Sequence, residues 1–367
     1  MAIINRLLVD RFRNLAAIDI HPSPGFNLVF GSNGSGKTSL LESIHVLSVG
    51  KSFRTHKTGP LIRAGESDFV LFAGLGERGG AGVSKFRNGK TELRLFGEQQ
   101  SNWQSVAELL PLQVINSDSF ALLDGGAKGR RRFMDWVMFH VEHSFIERWR
   151  AYRRCVAQRN SLLKRSSTGR PAIEQLSVWE GELASLGESI HLDRKRLFEN
   201  YLPYFHALVS ELLPDMTVGF VYKPGWDVER DLYSLLAETR DRDVRYGMTL
   251  SGPHRGDFVL LIDGGAASEV LSRGQTKMLV CALKIAAGKL LQQHYAERNE
   301  RYHCMYLVDD LAAELDVGGR TKIIQLLRDS GAQCFFSAIQ IMDLPLVGEI
   351  TETSGKFHVE HGKIHAA

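Results

Sequence analysis

Gly31-Ser32-Asn33-Gly34-Ser35-Gly36-Lys37-Thr38 decides how the rest of the chain is read. It matches G-x-x-x-x-G-K-[ST] and stands in the context that pattern needs. The short apolar run Phe26-Asn27-Leu28-Val29-Phe30 has β character, and Ser39 to Leu47 has helical spacing. Glycines let consecutive backbone N–H groups turn toward one point, and the positive end of the following helix faces the same point. A polyphosphate suits such a turn. The spacing predicts that all eight residues contact ATP, with Lys37 on the outer phosphates and the Thr38 hydroxyl on Mg²⁺.

Such a site needs an acid for the metal. Cys304-Met305-Tyr306-Leu307-Val308 is an unbroken apolar run, suited to a parallel sheet covered on both faces, and it ends in Asp309-Asp310. Paired acids at a strand end read alone as the start of a polar loop. Beside a phosphate loop, Asp309 takes the metal role and Asp310 becomes the candidate base for an attacking water.

Leu271-Ser272-Arg273-Gly274-Gln275 reads in isolation as a capped helix start. Its place in the chain, before the acid pair, resembles the LSGGQ signature of ABC-type ATPases. There the serine and glycine contact the γ-phosphate of ATP held by the other subunit, which makes Ser272, Gly274 and Gln275 candidates for binding nucleotide. Ala313-Glu314-Leu315-Asp316 resembles the D-loop of that class. Gln113, after Leu110-Pro111-Leu112, is the candidate Q-loop glutamine, with a metal and a catalytic role.

The whole chain has 367 residues, 44% hydrophobic and 24% charged, which suits a soluble globular protein of about two domains. No run approaches the ~18 apolar residues of a membrane helix. The N-terminal residues turn polar too early for a signal peptide. Cys155, Cys281, Cys304 and Cys334 are far apart, so neither a disulfide framework nor a zinc site is expected. A reducing, cytoplasmic compartment fits best.

The net charge of +3 conceals an asymmetry: residues 128–170 hold 12 Lys or Arg against three acids, a local +9. Such a stretch marks either a polyanion surface or a solvated helix face. Outside it, the segment before the phosphate loop, including Arg11 to Leu15, alternates like strands, and residues 69 to 96 read as a meander. Phe133, Val137, Val141, Phe145, Trp149, Tyr152 and Val156 form one stripe on a long helix. Ser166 to Pro171 supplies a turn. A second stripe follows at Leu176, Trp179, Leu183, Leu186, Ile190, Leu197 and Tyr201, interrupted by Asp193 and ended or kinked by Pro203. The pair predicts a short antiparallel hairpin. Trp136, Trp149 and Trp179 read as packing residues rather than base-stacking platforms. From about 244 strand–helix alternation resumes, with Phe258 to Ile262 as a strand.

In these motifs and their order the chain resembles the RecF family of bacterial recombination mediators, which have an ABC/SMC-type head. The likeness extends to Leu15 through Arg54, Arg130 to Trp136, Ser251 to Asp257 and Asp309-Asp310-Leu311. It implies an α/β fold, an ABC/SMC-type P-loop ATPase head with an inserted helical lobe. The nucleotide-binding lobe would comprise 1–127 and 244–367, and the insert 128–243. The resemblance also implies ATP-dependent DNA binding, dimerisation through ATP, and work with RecR and RecO at gapped DNA. On it rest the candidate DNA contacts Arg130, Arg131, Arg150, Arg153, Arg154, His254 and Arg255. For His254 and Arg255 a structural corner after Gly252-Pro253 is the competing reading. Arg54 either faces the phosphates or forms a surface ion pair.

Three departures bear on rate. Asp310 stands where ABC proteins carry glutamate, Ala313 where the family commonly has serine, and Ser337 or Ala338 where many have a switch histidine. Each weakens hydrolysis more than binding, so slow turnover is expected. Two other functions share the motifs: the ATPase subunit of an ABC transporter, and a short SMC-like structural protein that binds no DNA. Neither needs the +9 stretch.

Overall fold

The computed structural model describes residues 3–77, 79–166, 173–300, 302–344 and 353–366. The chain divides into two compact units, Met1–Phe120 with Arg273–Ala367, and Ala121–Ser272.

Among the described residues, the first unit holds two six-stranded sheets. One runs Lys363–Ala366, Gly355–Glu360, Phe26–Phe30, Cys334–Ala338, Met305–Val308, Leu112–Ile115. Every pairing in it is parallel except that of the first two strands. Met305–Val308 and Cys334–Ala338 are buried at every position, as strands covered on both faces must be. The register sets Val308 beside Phe336 and Ile115, and Phe336 beside Leu28. The loops after these strands therefore leave from one edge, where open parallel sheets bind ligands.

The other sheet is antiparallel, and its central hairpins, Asp68–Gly74, Gly80–Phe86 and Thr91–Leu95, are the expected meander. Strand Arg6–Asp10 stops short of the expected alternation through Leu15. Arg11 and Arg13 both adopt φ near +55°, a left-handed backbone that turns the chain. Between the sheets lies helix Lys37–Val49, buried on nearly every side, with Leu40, Leu41, Ile44 and Leu47 in one core with Phe12, Phe69 and Phe335.

In the second unit the first stripe is divided between helices Ala127–Val141 and Phe145–Ser166. Glu142 takes an extended backbone, and its carboxylate accepts from the Ser144 hydroxyl at 2.6 Å, a polar turn that restarts the helix. Ile173–Leu212 is one helix of 40 residues, and Pro203 lies inside it without ending it. The turn expected over 166–171 falls largely outside the described residues. Arg148 pairs with Asp193 and Arg159 with Glu180. As one partner number rises the other falls, so the two long helices run antiparallel. Trp149 stacks between Phe145 and Tyr152, as a packing residue would.

Strand Asp257–Ile262 does not rejoin the parallel sheet. It pairs antiparallel with Val218–Lys223 inside the second unit, whose limits are 121 and 272 rather than 128 and 243. Its apolar side chains alternate in burial, the pattern of a half-covered antiparallel strand.

Arg159 has no solvent exposure and bonds Glu180, Asp243, Thr249 and the Leu236 carbonyl. Burial holds the Asp243 carboxyl above its usual range, and Arg159 opposes that shift. Arg159→Met should therefore destabilise this unit by about 3–5 kcal/mol, because it strands a buried carboxylate. Adding Asp243→Asn should recover part of the loss. Four of the five tryptophans lie in this unit, so denaturant unfolding followed by tryptophan fluorescence reads the effect. A midpoint within error of wild type would contradict it.

Candidate functional site

The loop after strand Phe26–Phe30 is shaped by glycines where no other residue fits. Gly31 has φ +148°, and a Cβ there would lie 2.2 Å from the Val359 carbonyl oxygen. Gly36 has φ +126°, and its Cβ would lie 2.6 Å from Leu15 Cδ2. Helix Lys37–Val49 follows at once, with no side-chain cap and no acid in its first turn. Its leading N–H groups and dipole thus carry partial positive charge toward an anion.

Lys37 donates to the carbonyls of Gly31 at 2.7 Å and Ser32 at 2.9 Å. Burial makes the Lys37 ammonium give up its proton more readily than an exposed lysine would, and the charges of Asp310 and Asp309 work the other way. Asn14 braces the loop, donating to the Gly34 carbonyl at 3.0 Å and accepting from the Ser39 hydroxyl at 2.8 Å. Sequence reasoning missed Asn14. Its only trace there was a polar residue in a segment read as strand.

The parallel register brings Asp309 and Ser337 level on neighbouring strands. Thr38 Oγ1 donates to Asp309 Oδ1 at 3.0 Å, and Ser337 Oγ donates to the same oxygen at 2.5 Å. Ser337 in turn accepts from the Asp310 backbone N–H at 2.9 Å. Asp310 is left-handed, at φ 51° and ψ 49°, a conformation rare outside glycine and found at functional turns. Burial first, then the Asp309 charge, raises the Asp310 carboxyl above its usual range, while Lys37 opposes.

These groups open on a cavity of about 720 Å³, within the range of small-molecule sites. Arg13, Lys37, Arg54 and Arg87 line it as cations, and Pro60, Ile62 and Ala64 form an apolar wall. Arg54 is thus on the cavity and also in an ion pair, with Glu42 at 3.6 Å. The partner acid is buried, so this is not a pair between two surface side chains.

Other expected residues lie elsewhere. Gln113 is buried in strand Leu112–Ile115, level with Tyr306, three positions before Asp309, and accepts from Lys284 Nζ at 3.3 Å. It does not line the cavity. Buried Asn116, one residue beyond the strand, stands nearer the level of Asp309. Ser272 is exposed just before helix Arg273–Ala296, whose first turn carries Gly274 and Gln275. None of the three lines the cavity. Glu314 holds Lys277 in an ion pair at 2.6 Å, and Asp316 caps helix Val317–Asp329.

The cationic stretch sorts into two kinds. Arg130 grips Asp257 through Nε at 2.8 Å and Nη2 at 2.9 Å, and Arg131 donates to the Gly256 carbonyl. Arg148 and Arg159 are engaged by Asp193 and Glu180. Arg150, Arg153 and Arg154 are exposed on helix Phe145–Ser166. Burial pushes His254 down to about 4, so it carries no charge at neutral pH. With the ring neutral, Nε2–H donates to the Thr249 carbonyl at 3.0 Å and Nδ1 accepts from the Tyr152 hydroxyl at 2.7 Å. His254 is a structural corner, and exposed Arg255 bonds the same carbonyl.

Sheet order, phosphate loop and acid pair together define an ABC/SMC-type P-loop ATPase head with an inserted helical lobe. The model of the RecF/RecN/SMC N terminal domain family matches residues 3–364. DNA replication and repair protein RecF of Cellvibrio japonicus is 41% identical over 366 residues, 98% of each chain. The protein of the same name from Shewanella oneidensis is 40% identical over 363 residues, again 98% of each. The chain belongs to the RecF family. Among solved structures it resembles the recombination mediator protein RecF with ATP in the RecFOR pathway, at TM-score 0.85 and 23% identity, covering 99% of this chain and 97% of that one. It also resembles the Smc head domain of Pyrococcus furiosus, solved with an extended coiled coil and bound to the C-terminal domain of ScpA. That match has TM-score 0.60 and 16% identity, covering 100% and 96%.

Proposed function

We propose that the chain is an ATP-dependent DNA-binding clamp of repair and replication, a recombination mediator that dimerises on ATP and hydrolyses it slowly. The observation that carries this reading is the meeting of Thr38, Asp309 and Ser337 at the head of the phosphate-loop helix. A hydroxyl and a carboxylate beside a polyphosphate cradle are the oxygen donors Mg²⁺ prefers. Thr38 and Asp309 would hold the metal, which when bound neutralises charge on the outer phosphates. Lys37 and the loop N–H groups of residues 31–38 would hold the phosphates of ATP. Asp310, its carboxyl raised, would accept a proton from the attacking water, since a carboxylate with a raised pKa is the stronger base. Its short side chain, Ala313, and Ser337 at the switch position all favour slow turnover. Gln113 receives no role in this scheme.

The DNA assignment draws on relatives named for DNA replication and repair and on the exposed cations of helix Phe145–Ser166. RecR and RecO are the partners suggested by the RecFOR pathway of the solved RecF. A transporter ATPase subunit would share the cavity, but the relatives carry a repair name and not a transport name. Of the expected DNA contacts, Arg150, Arg153, Arg154 and Arg255 remain candidates. Arg130, Arg131 and His254 are engaged internally.

Filter binding across a salt series tests the DNA half. The Arg150→Ala, Arg153→Ala, Arg154→Ala triple variant should weaken DNA binding. It should also flatten the log–log salt slope by about one for each DNA phosphate that is no longer neutralised. If affinity and slope both stay at wild-type values, this helix is a solvated face and DNA binds elsewhere.

A further inference from the structure

Glu42 is wholly buried, in the helix that begins at the phosphate loop, and pairs with two arginines that line the cavity. A buried carboxylate is costly unless fully partnered, and this one is. Its Oε2 accepts from Arg13 Nε at 2.9 Å and faces Arg54 Nη1 at 3.6 Å. Its Oε1 accepts from Arg13 Nη2 at 2.6 Å and from the Ser52 hydroxyl. Ser52 Oγ also accepts from the backbone N–H of Arg54 at 2.8 Å and of Thr55 at 3.0 Å, so the turn carrying Arg54 hangs from the same acid.

A second observation concerns Arg13 itself. Its backbone is left-handed at φ 55°, rare for a residue other than glycine, and its N–H is tied to the Leu61 carbonyl at 2.7 Å. Strain of this kind persists only where the surroundings over-determine it. Here it aims a guanidinium back at Glu42 along the cavity wall, where Arg13 and Arg54 stand with Lys37 and Thr38.

We infer that Glu42 is a positioning residue for nucleotide binding: it fixes the Arg13 and Arg54 guanidiniums as paired cations facing a polyphosphate. The inference rests on the nucleotide reading above. Two effects oppose each other when Glu42 is neutralised. Removing a negative charge beside a polyanion would by itself tighten binding. Releasing two like-charged guanidiniums, one of them on a strained backbone, would loosen it, because the cations must then be ordered at the moment of binding. The second effect dominates, since Arg13 takes its guanidinium geometry from two hydrogen bonds to this carboxylate, and Arg54 is held near it by charge and through the Ser52 turn.

Glu42→Gln, Arg13→Ala and the double variant should be titrated with fluorescently labelled ATP, with thermal denaturation alongside. Each single change should weaken binding about tenfold. The double variant should fall well short of the product of the two, because Glu42 acts through Arg13. Unchanged or tighter binding by Glu42→Gln, or losses that multiply, would overturn the inference. A wild type that binds no ATP would bring down the nucleotide reading and this inference with it, a separate and recognisable result. Should Glu42→Gln fail to fold, Ser52→Ala carries the test, with a loss of about threefold expected. Wild-type affinity in that variant would equally overturn it.

Discussion

Lys37→Met is expected to abolish productive ATP binding while leaving the fold intact. The Lys37 ammonium is the one side-chain cation supplied by the phosphate loop, and it sits against the Gly31 and Ser32 carbonyls at the head of the cavity. A hydrogen bond to a charged group is worth about 1.5–3 kcal/mol. Removing two such bonds to phosphate oxygens therefore costs at least about 3 kcal/mol, roughly a hundredfold in affinity. Methionine keeps the length and the apolar stem, and the loop's path is set by Gly31, Gly36 and the Asn14 brace, so the helix should start as before. Calorimetric titration with ATP, checked by circular dichroism, measures both halves. Wild-type affinity in a folded variant would sink the phosphate-loop assignment.

Ser272→Arg should block ATP-driven dimerisation without removing ATP binding. In the ABC arrangement the signature of one subunit closes the site of the other, and here none of Ser272, Gly274 and Gln275 lines the chain's own cavity. A two-fold dimer would then hold two sandwiches, each with a phosphate between Lys37 of one copy and Ser272 of the other. Ser272 stands directly before helix Arg273–Ala296, so its replacement should cost the subunit's own stability no more than about 2 kcal/mol, the worth of a helix cap. An arginine there would collide with the partner's bound triphosphate. Hydrolysis would remove the bridging phosphate and loosen the pair, making ATP a timer for residence on DNA. Light scattering with saturating ATP, beside direct nucleotide binding, separates the outcomes. A variant that dimerises like wild type, or a wild type that stays monomeric, would refute the trans assignment.

Local chemistry made part of this site readable in advance. Gly31, Gly36 and Lys37 act within one turn of chain, so their spacing announces the cradle directly. Asp309 was readable because Met305–Val308 is apolar without a break, the pattern of a doubly covered strand. The helical hairpin was readable from its stripes, yet the break at 142–144 was not. An apolar stripe continues in phase across a three-residue polar turn, and nothing in the period reports the interruption. Of the two readings of Pro203, an end or a kink, the end is excluded, since the helix runs on to Leu212. A proline's sequence signal cannot register the packing that holds a helix on both sides of it.

What the sequence determined by itself is the class of the protein: a phosphate loop between strand and helix, an acid pair at a buried strand end, and a charged helical insert. Such features are encoded within a few residues of one another. Tertiary structure alone decided which groups meet. Thr38 finds Asp309 across 271 positions, and Ser337 joins the same carboxylate from a neighbouring strand. Asn14 and Arg13 reach the cavity from a turn with no motif of its own. Strand Asp257–Ile262 joined an antiparallel sheet because its partner, Val218–Lys223, lies in the same unit. The +9 stretch divided only on folding, since a guanidinium buried beside Glu180 and Asp243 and one exposed on the same helix are spelled alike in sequence. Burial and pairing are set by residues far away in the chain, and no local pattern carries them.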